Sequence, residues 1–128
     1  MVTAGCADPV APATPTPAAP TVDDTFTDTL LVAGVNMHLF TVTTVGGVKV
    51  TLTSVQPGAA VGLGVGTPSL GTCSIIDRIE AVAGKSVQMS GTATVPGQYC
   101  VAIFDLTDSS GVGSLVEPVV YTIDVLHS

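Results

Sequence analysis

Polar and apolar residues alternate one by one along much of this chain. In the run KSVQMSGTATVPG, residues 85–97, every even position from Ser86 onward to residue 94 is polar, and the odd positions are small or apolar. The run GGVKVTLTSV repeats the pattern, with Val48, Val50 and Leu52 on one side. Successive side chains of a β-strand point to opposite faces, so each run predicts a strand with one buried and one solvated face.

Three further segments extend this pattern. Phe40 and Val42 share one face of NMHLFTVTT, and Tyr121, Ile123 and Val125 share one face of VVYTIDVLH. GQYCVAIFDL is apolar on both faces, as a central strand is. Turn residues separate the runs, and a helical turn is the alternative for SIIDRIEAVAG only. The predicted strands lie near residues 24–32, 36–44, 46–55, 60–66, 74–82, 86–95, 98–107 and 116–127.

Short strands at regular spacing predict an all-β domain, a jelly-roll-like antiparallel β-sandwich of seven or eight strands. We assign residues 22–128 to this domain and residues 1–21 to a preceding tether. Residues 7–21 contain five prolines, separated mainly by Ala and Thr. Such a segment favours the extended polyproline II conformation, so we expect it to act as a spacer.

Cys6 lies at the start of this tether, directly after Ala4 and Gly5. The order VTAGC resembles the bacterial lipobox, where cleavage before the cysteine is followed by its diacylation. A signal peptide also needs a charged start and an apolar stretch of about 7–15 residues, and too few residues precede Cys6 here. If Cys6 is lipidated, we expect either that the sequence is truncated within its signal peptide or that Met1 is not the true start. The alternative is that Cys6 is a free thiol.

Cys73 and Cys100 flank strand-like segments inside the predicted domain. In an exported acidic domain, two such cysteines usually form a disulfide, and we predict this pair. Metal binding is the competing interpretation. It is disfavoured because neither cysteine belongs to a CxxC motif or has histidines nearby in the sequence.

Charge restricts the partners of the chain. Three basic residues stand against ten acidic ones, for a formal net charge of −7, and only 10% of residues are charged. Without a basic patch, nucleic-acid binding is disfavoured. An anionic membrane would repel the chain, and no run of 18 apolar residues exists, so we expect membrane attachment only through a lipid anchor.

The histidines predict no catalytic site. His38 shares the face of Phe40 and is interpreted as a residue at a strand end with a satisfied nitrogen. His127 lies one residue from the C-terminus and is interpreted as part of a frayed end. No Gly-x-Ser-x-Gly motif occurs. We expect no enzyme, no catalytic residue and no cofactor.

The glycine-rich run VGLGVGTPSLG lacks the spacing of a phosphate-binding loop. We predict a structural role, with Val61, Leu63 and Val65 in the core and the intervening glycines permitting close backbone approach. Carboxylates form two weak groups, for which an exposed edge is favoured over a calcium site, so no metal ligand is predicted. These are Asp23, Asp24 and Asp28 in one group, and Asp105 and Asp108 in the other.

A family resemblance rests on the order DTFTDTLLVAGVNMHLFTV, VKVTLTSV, GLGVGTP, GTCS, SGTATVPGQYCVAIFD and VYTIDVLH. This order is similar to bacterial pre-peptidase C-terminal-type domains, and more closely to short exported lipoproteins that carry one such domain behind a Thr/Pro linker. The resemblance covers about residues 23–127. It implies a jelly-roll sandwich that is usually an accessory of secreted proteins. Some relatives bind calcium, but their ligands are not recognisable here.

Three functional hypotheses follow. The first is a non-catalytic accessory module of the bacterial cell envelope, lipid-anchored or secreted, that binds a protein partner. The second is a structural subunit of a filament or membrane complex, which self-assembles by donating its N-terminal arm as a strand to a neighbour. The third is a calcium-dependent binder of polysaccharide or protein. All three place the protein outside the cytoplasm.

Overall fold

The structure, a computed structural model, describes residues 19–106 and 114–128. Within these ranges the chain forms eight β-strands and no helix. Their bounds are β1 Val22–Leu30, β2 Val35–Val42, β3 Gly46–Gln56, β4 Val61–Ser69, β5 Thr72–Ala81, β6 Met89–Ala93, β7 Gly97–Phe104 and β8 Val119–His127.

The strands form two four-stranded sheets. Sheet I has the order β1-β8-β3-β6, and sheet II has the order β2-β7-β4-β5. Every pairing is antiparallel: β4 with β5, β3 with β6, β2 with β7 and β1 with β8 form nested pairs, while β8 with β3 and β7 with β4 join them. One long hairpin that is rolled up gives this order, which is the jelly-roll topology. The predicted fold class is confirmed.

The core lies between the two sheets and is built mainly from the alternating positions that the sequence marked as apolar. The strand predicted at 86–95 is shorter than expected, because β6 covers only Met89–Ala93, and Val87 and Val95 beyond its ends are exposed. The fully buried side chains of sheet I include Leu52, Tyr121, Ile123 and Val125, and those of sheet II include Val61, Leu63, Val101 and Ile103. Each such side chain stabilises the fold by roughly 1.5–3 kcal/mol relative to an exposed one.

The strand predicted near residues 74–82 is confirmed, and the alternative of a helical turn in the first part of SIIDRIEAVAG is wrong. β5 runs from Thr72 to Ala81 and pairs with β4 along its length. A register shift opposite Val65 and Gly66 makes Ile76 an extra residue in β5. This bulge interrupts the alternation of period two, and for that reason the pattern resembled a helical turn.

Candidate functional site

Glycines form the middle of the outer face of sheet II. Gly62 and Gly64 lie on β4, and both are buried although they face away from the core. The ring of Phe104 from β7 lies over Gly62, where a Cβ would overlap it. Ile75 from β5 covers Gly64, where a Cβ would lie 3.0 Å from its Cγ2. The predicted close approach at these glycines is confirmed.

Gly66 permits the closest approach of all, because the carbonyl oxygen of Ser74 occupies the position of its missing Cβ. β4 separates β5 from β7 in sheet II, and strands two apart lie about 9–10 Å from each other. The Cα atoms of Cys73 on β5 and Cys100 on β7 are nevertheless only 5.9 Å apart. The start of β5 therefore folds over β4 at Gly66.

This fold-over creates the Cys73–Cys100 disulfide, as predicted from the sequence. Cys100 is fully buried and Cys73 is half-buried. Disulfides of this kind are typical of proteins in oxidising compartments. Cys6, the predicted lipidation site, lies outside the described residues.

Apolar side chains extend this face toward the free edge of sheet II. Val35 is 69% exposed and Leu39 is 42% exposed, and Met37 lies half-buried between them on the same face of β2. In the register with β7, Val35 lies beside Phe104 and Leu39 beside Cys100. Val35, Met37 and Leu39 thus form a row of apolar side chains along the edge strand of sheet II. In NMHLFTVTT, the odd-numbered residues Met37 and Leu39 are also apolar, but the prediction of one buried face rested on Phe40 and Val42.

A groove of about 410 Å³ lies between β5 and the end of β7. Its lining residues are Arg78, Ile79, Glu80, Phe104, Asp105 and Leu106. The groove is more polar than the neighbouring surface of β2, since three of these residues carry charged side chains. It gives the apolar face a charged border.

The outer face of sheet I carries hydroxyl and carboxyl groups instead. Thr25 donates a hydrogen bond to Asp124 at 3.1 Å, and the hydroxyls of Thr27 and Thr122 lie 3.0 Å apart. A side-chain hydrogen bond with Asp124 raises the pKa of Asp23, and burial and the negative charges of Asp124 and Asp24 act in the same direction. This face is built for contact with water.

His38 takes part in a cluster at the flank of the core between β1 and β2. Its Nε2 lies 2.6 Å from the hydroxyl of Tyr121, which also accepts a hydrogen bond from Asn36, and its ring stacks on Phe26. Burial lowers the pKa of His38, and the charge of Asp28 opposes this shift only partly. His38 thus has a satisfied nitrogen, although it lies within β2 and not at its end.

His127 is not part of a frayed end, contrary to the sequence prediction. It is 2% exposed, its Nε2 lies 2.7 Å from Asp24, and its Nδ1 lies 3.1 Å from the carbonyl oxygen of Ser128. The reason is topological: β8 is an inner strand of sheet I, so β1 and β3 pair with its last residues on both sides. The position of His127 near the end of the sequence does not reveal that two strands pair with it.

Asp105 lies in a different environment from the one that the sequence predicted. Asp105 is buried and accepts hydrogen bonds from the backbone N–H groups of Ala33, Ser114 and Leu115. Burial alone would raise the pKa of Asp105, but these donors and the Ser114 hydroxyl together lower it. Asp105 therefore fastens two loops to the end of β7, and is not the exposed edge residue that we expected. Asp108 lies outside the described residues.

Among the residues that the structure describes, no three His, Cys, Asp or Glu side chains are close enough to hold a metal ion. A membrane-spanning helix is likewise not found in residues 19–106 and 114–128.

Comparison with known proteins gives a likeness of fold only. No family model and no curated protein sequence matches the chain. Among solved structures, the chain is similar to the crystal structure of the Yersinia pseudotuberculosis-derived mitogen, with a TM-score of 0.54 and 14% sequence identity. The match covers 85% of this chain and 87% of the mitogen chain. At this identity the likeness supports the all-β architecture and carries no function.

Proposed function

We propose that the chain is a non-catalytic extracytoplasmic interaction module that binds a protein partner through the outer face of sheet II. The observation that carries this proposal is the exposed apolar surface of Val35, Met37 and Leu39, which continues onto Phe104 and the disulfide. Exposing aliphatic side chains to water is unfavourable, so a surface of this kind is expected to be covered by a partner.

The rigidity of this face supports the proposal. The disulfide links β5 to β7 across β4, and Phe104 and Ile75 pack onto glycines. Little conformational entropy is then lost when a partner binds, which favours affinity. The sheet behind the surface acts as a scaffold.

Placement outside the cytoplasm is supported by three observations of different kinds. The disulfide is typical of oxidising compartments. The Pro-rich segment after Cys6 suits a tether that holds the domain away from a lipid anchor. The resemblance to pre-peptidase C-terminal-type domains implies an accessory of exported proteins. Lipidation of Cys6 and membership of that family remain predictions.

The absence of catalysis in the proposal is supported by how the histidines are used. The Nε2 atoms of His38 and His127 lie within hydrogen-bond distance of Tyr121 and Asp24, and His127 is buried. His127 is therefore out of reach of a substrate, and the ring of His38 is stacked on Phe26. The second hypothesis, assembly by donation of the arm, also remains a prediction; in the structure Val22–Leu30 pairs with β8 of the same chain.

Site-specific photo-crosslinking tests the proposal in the cells that make the protein. A photoreactive residue replaces Val35 on sheet II or, as the matched control, Val120, which is 48% exposed on sheet I. We expect a discrete crosslinked protein from position 35 and none from position 120. Equal crosslinking from both positions would contradict the proposed surface.

Thiol labelling in the same cells tests the location. We expect the protein in the envelope or secreted fraction. Because Cys100 is buried, labelling is carried out in denaturant, where Cys73 and Cys100 should stay unreactive until a reductant is added. Intact mass then reports whether the chain begins at a diacylated Cys6. A cytoplasmic protein with reactive thiols at both positions would refute the extracytoplasmic part of the proposal.

A further inference from the structure

The four edge strands of the sandwich differ in how they are protected. Natural edge strands avoid pairing with other chains by being short, by carrying charges or proline, or by containing a bulge. β6 has five residues, β1 carries three aspartates, and β5 has a register shift together with charged residues. β2, VNMHLFTV, has eight residues, an unshifted register with β7, no proline and no carboxylate, lysine or arginine.

Within residues 19–106 and 114–128, no strand pairs with the outer edge of β2, so its backbone is available for pairing at alternate residues. The N–H of Asp105 donates to the carbonyl of Gly34 at 3.0 Å, directly before β2, so Gly34 and Asp105 form a hydrogen-bonded pair. Hydrogen-bonded and non-bonded pairs alternate along an antiparallel ladder. The N–H and C=O groups of Val35, Met37 and Leu39 therefore point away from β7, toward the free edge.

The side chains of β2 are symmetric about Met37. The sequence Val35-Asn36-Met37-His38-Leu39 reads apolar, polar, apolar, polar, apolar in both directions. A two-fold axis at Met37 in an antiparallel pair places Val35 beside Leu39 of the second copy and Asn36 beside His38 of the second copy. Residues opposite each other share a face, so this register keeps the apolar set on the outer face of sheet II.

Charge also favours this edge for self-association. The chain carries a net charge of −7, so two copies repel each other through most of their surfaces. Pairing through β1 would bring its aspartates together, whereas β2 brings no charged pair into contact.

We propose that two copies of this chain associate through β2, in antiparallel register about Met37, to form one continuous eight-stranded sheet from their two copies of sheet II. The pair gains about six backbone hydrogen bonds and places Val35 of each copy beside Leu39 of the other, so that these two exposed side chains shield each other in part from water. This deepens the proposed function by naming a second copy as the partner of that face, and it rests on that function only for the choice of surface.

The proposal also predicts a dependence on ionic strength. β1 lies in sheet I next to the flank where β2 lies in sheet II, so association brings the two β1 strands closer together. Their aspartates repel each other, and salt screens this repulsion. We expect association to strengthen as salt is raised from about 0.01 M to 0.15 M.

Light scattering after size exclusion tests the proposal on the full chain, over concentrations up to about 1 mM, where weak association is still detected. We expect a concentration-dependent dimer, and Leu39→Glu weakens it by at least about tenfold because a carboxylate then faces Val35 of the second copy. Adding Val35→Lys to that variant restores the dimer, since the register places opposite charges together twice. Val120→Glu, on sheet I, leaves it unchanged.

Circular dichroism and thermal melts verify that each variant is folded, and Val35→Lys alone replaces Leu39→Glu should the latter unfold. A chain that stays monomeric at all concentrations and salt levels overturns the proposal. So does a dimer that is indifferent to both substitutions, or one that the double variant does not restore. A monomer that still crosslinks to another protein from position 35 would overturn this inference and leave the proposed function intact.

Discussion

The outward positions of the two sheets are filled in different ways. On sheet I, threonines and aspartates stand out from the strands and contact each other across them, as Thr27 does with Thr122. On sheet II, the inner strand β4 has glycines at the outward positions, and the neighbouring strands supply the groups that cover them, as Phe104 covers Gly62. The outer face of sheet I therefore consists of polar side chains with few packing contacts. On the outer face of sheet II, side chains from neighbouring strands pack closely over the glycines of β4.

This difference predicts how each face responds to substitution. A side chain on sheet I that is changed disturbs one cross-strand neighbour, and such pairs contribute only about 0.2–1 kcal/mol each. A side chain added to the glycine column of sheet II must displace an aromatic ring or the backbone of β5. The glycine positions of sheet II are therefore expected to tolerate few substitutions, whereas the outward positions of sheet I are expected to tolerate many.

Replacing Gly66 by valine gives the largest expected effect. The new Cβ would overlap the backbone of Ser74, so β5 must lift away and Cys73 can no longer reach Cys100. We expect a loss of about 4 kcal/mol or more in the free energy of unfolding, measured by urea denaturation. Gly91→Val on β6 of sheet I is the matched control, because a Cβ there has no atom within 4 Å. Equal losses for the two variants would contradict the comparison.

Removal of the disulfide comes next. The Cys73→Ala/Cys100→Ala variant loses the closure of a loop of 27 residues, which corresponds to roughly 3 kcal/mol on the chain-entropy estimate. Thermal unfolding of this variant should match that of reduced wild-type protein. Cys6→Ala, which leaves the pair intact, should have no effect on the melting temperature. Unchanged stability of the double variant would show that packing over Gly66 holds β5 without the disulfide.

The smallest effect concerns the carboxylates of sheet I. The folded protein holds a proton on Asp23 more tightly than the unfolded chain, whose pKa stays near 3.8. This contribution to stability is fully present below pH 3.8 and is lost as the pH rises through the raised pKa of Asp23. Asp105, with its lowered pKa, loses stability only below about pH 3.8, so the two groups act in separate windows.

Asp124→Asn should lower the pKa of Asp23 toward its ordinary value and reduce the stability change between pH 7 and pH 4. Asparagine retains an oxygen that accepts from Thr25, so the cross-strand contact is preserved. NMR titration of the Asp23 carboxyl and melts at the two pH values measure both effects. Glu117→Gln removes the same charge from a residue outside the strands and serves as control. A pKa of Asp23 that does not move would exclude the pairing with Asp124.

The sequence was a reliable guide in most strands whose side chains alternate between core and water, although Val87 and Val95, at either side of β6, are exposed and not buried. Val50, Leu52, Tyr121 and Ile123 are buried as predicted, because period-two alternation acts strand by strand and needs no knowledge of the partner strands. Where a strand contains a bulge, as β5 does at Ile76, the alternation breaks and the prediction weakened. The disulfide was predicted from cysteine usage, without any knowledge of how β5 reaches β7.

Alternation of apolar and polar residues could not identify the candidate surface on β2. Val35 and Leu39 alternate with His38 and Phe40, so β2 has apolar residues on both faces, and only the packing of the sheets decides which face is exposed. His127 was misjudged for the same reason, since its burial depends on β1 and β3 lying on either side of β8.

By itself, then, the sequence determined the all-β class with seven or eight strands, most core positions, the disulfide partners and the acidic, charge-poor composition, because each follows from local alternation or from composition. Only the tertiary structure decided that β2 is an unprotected edge, that β5 crosses Gly66, and that Asp105 and His127 are buried. These properties arise from pairings between residues far apart in the sequence, such as Asp24 and His127, which are 103 positions apart. No local pattern encodes which strand becomes the neighbour of another.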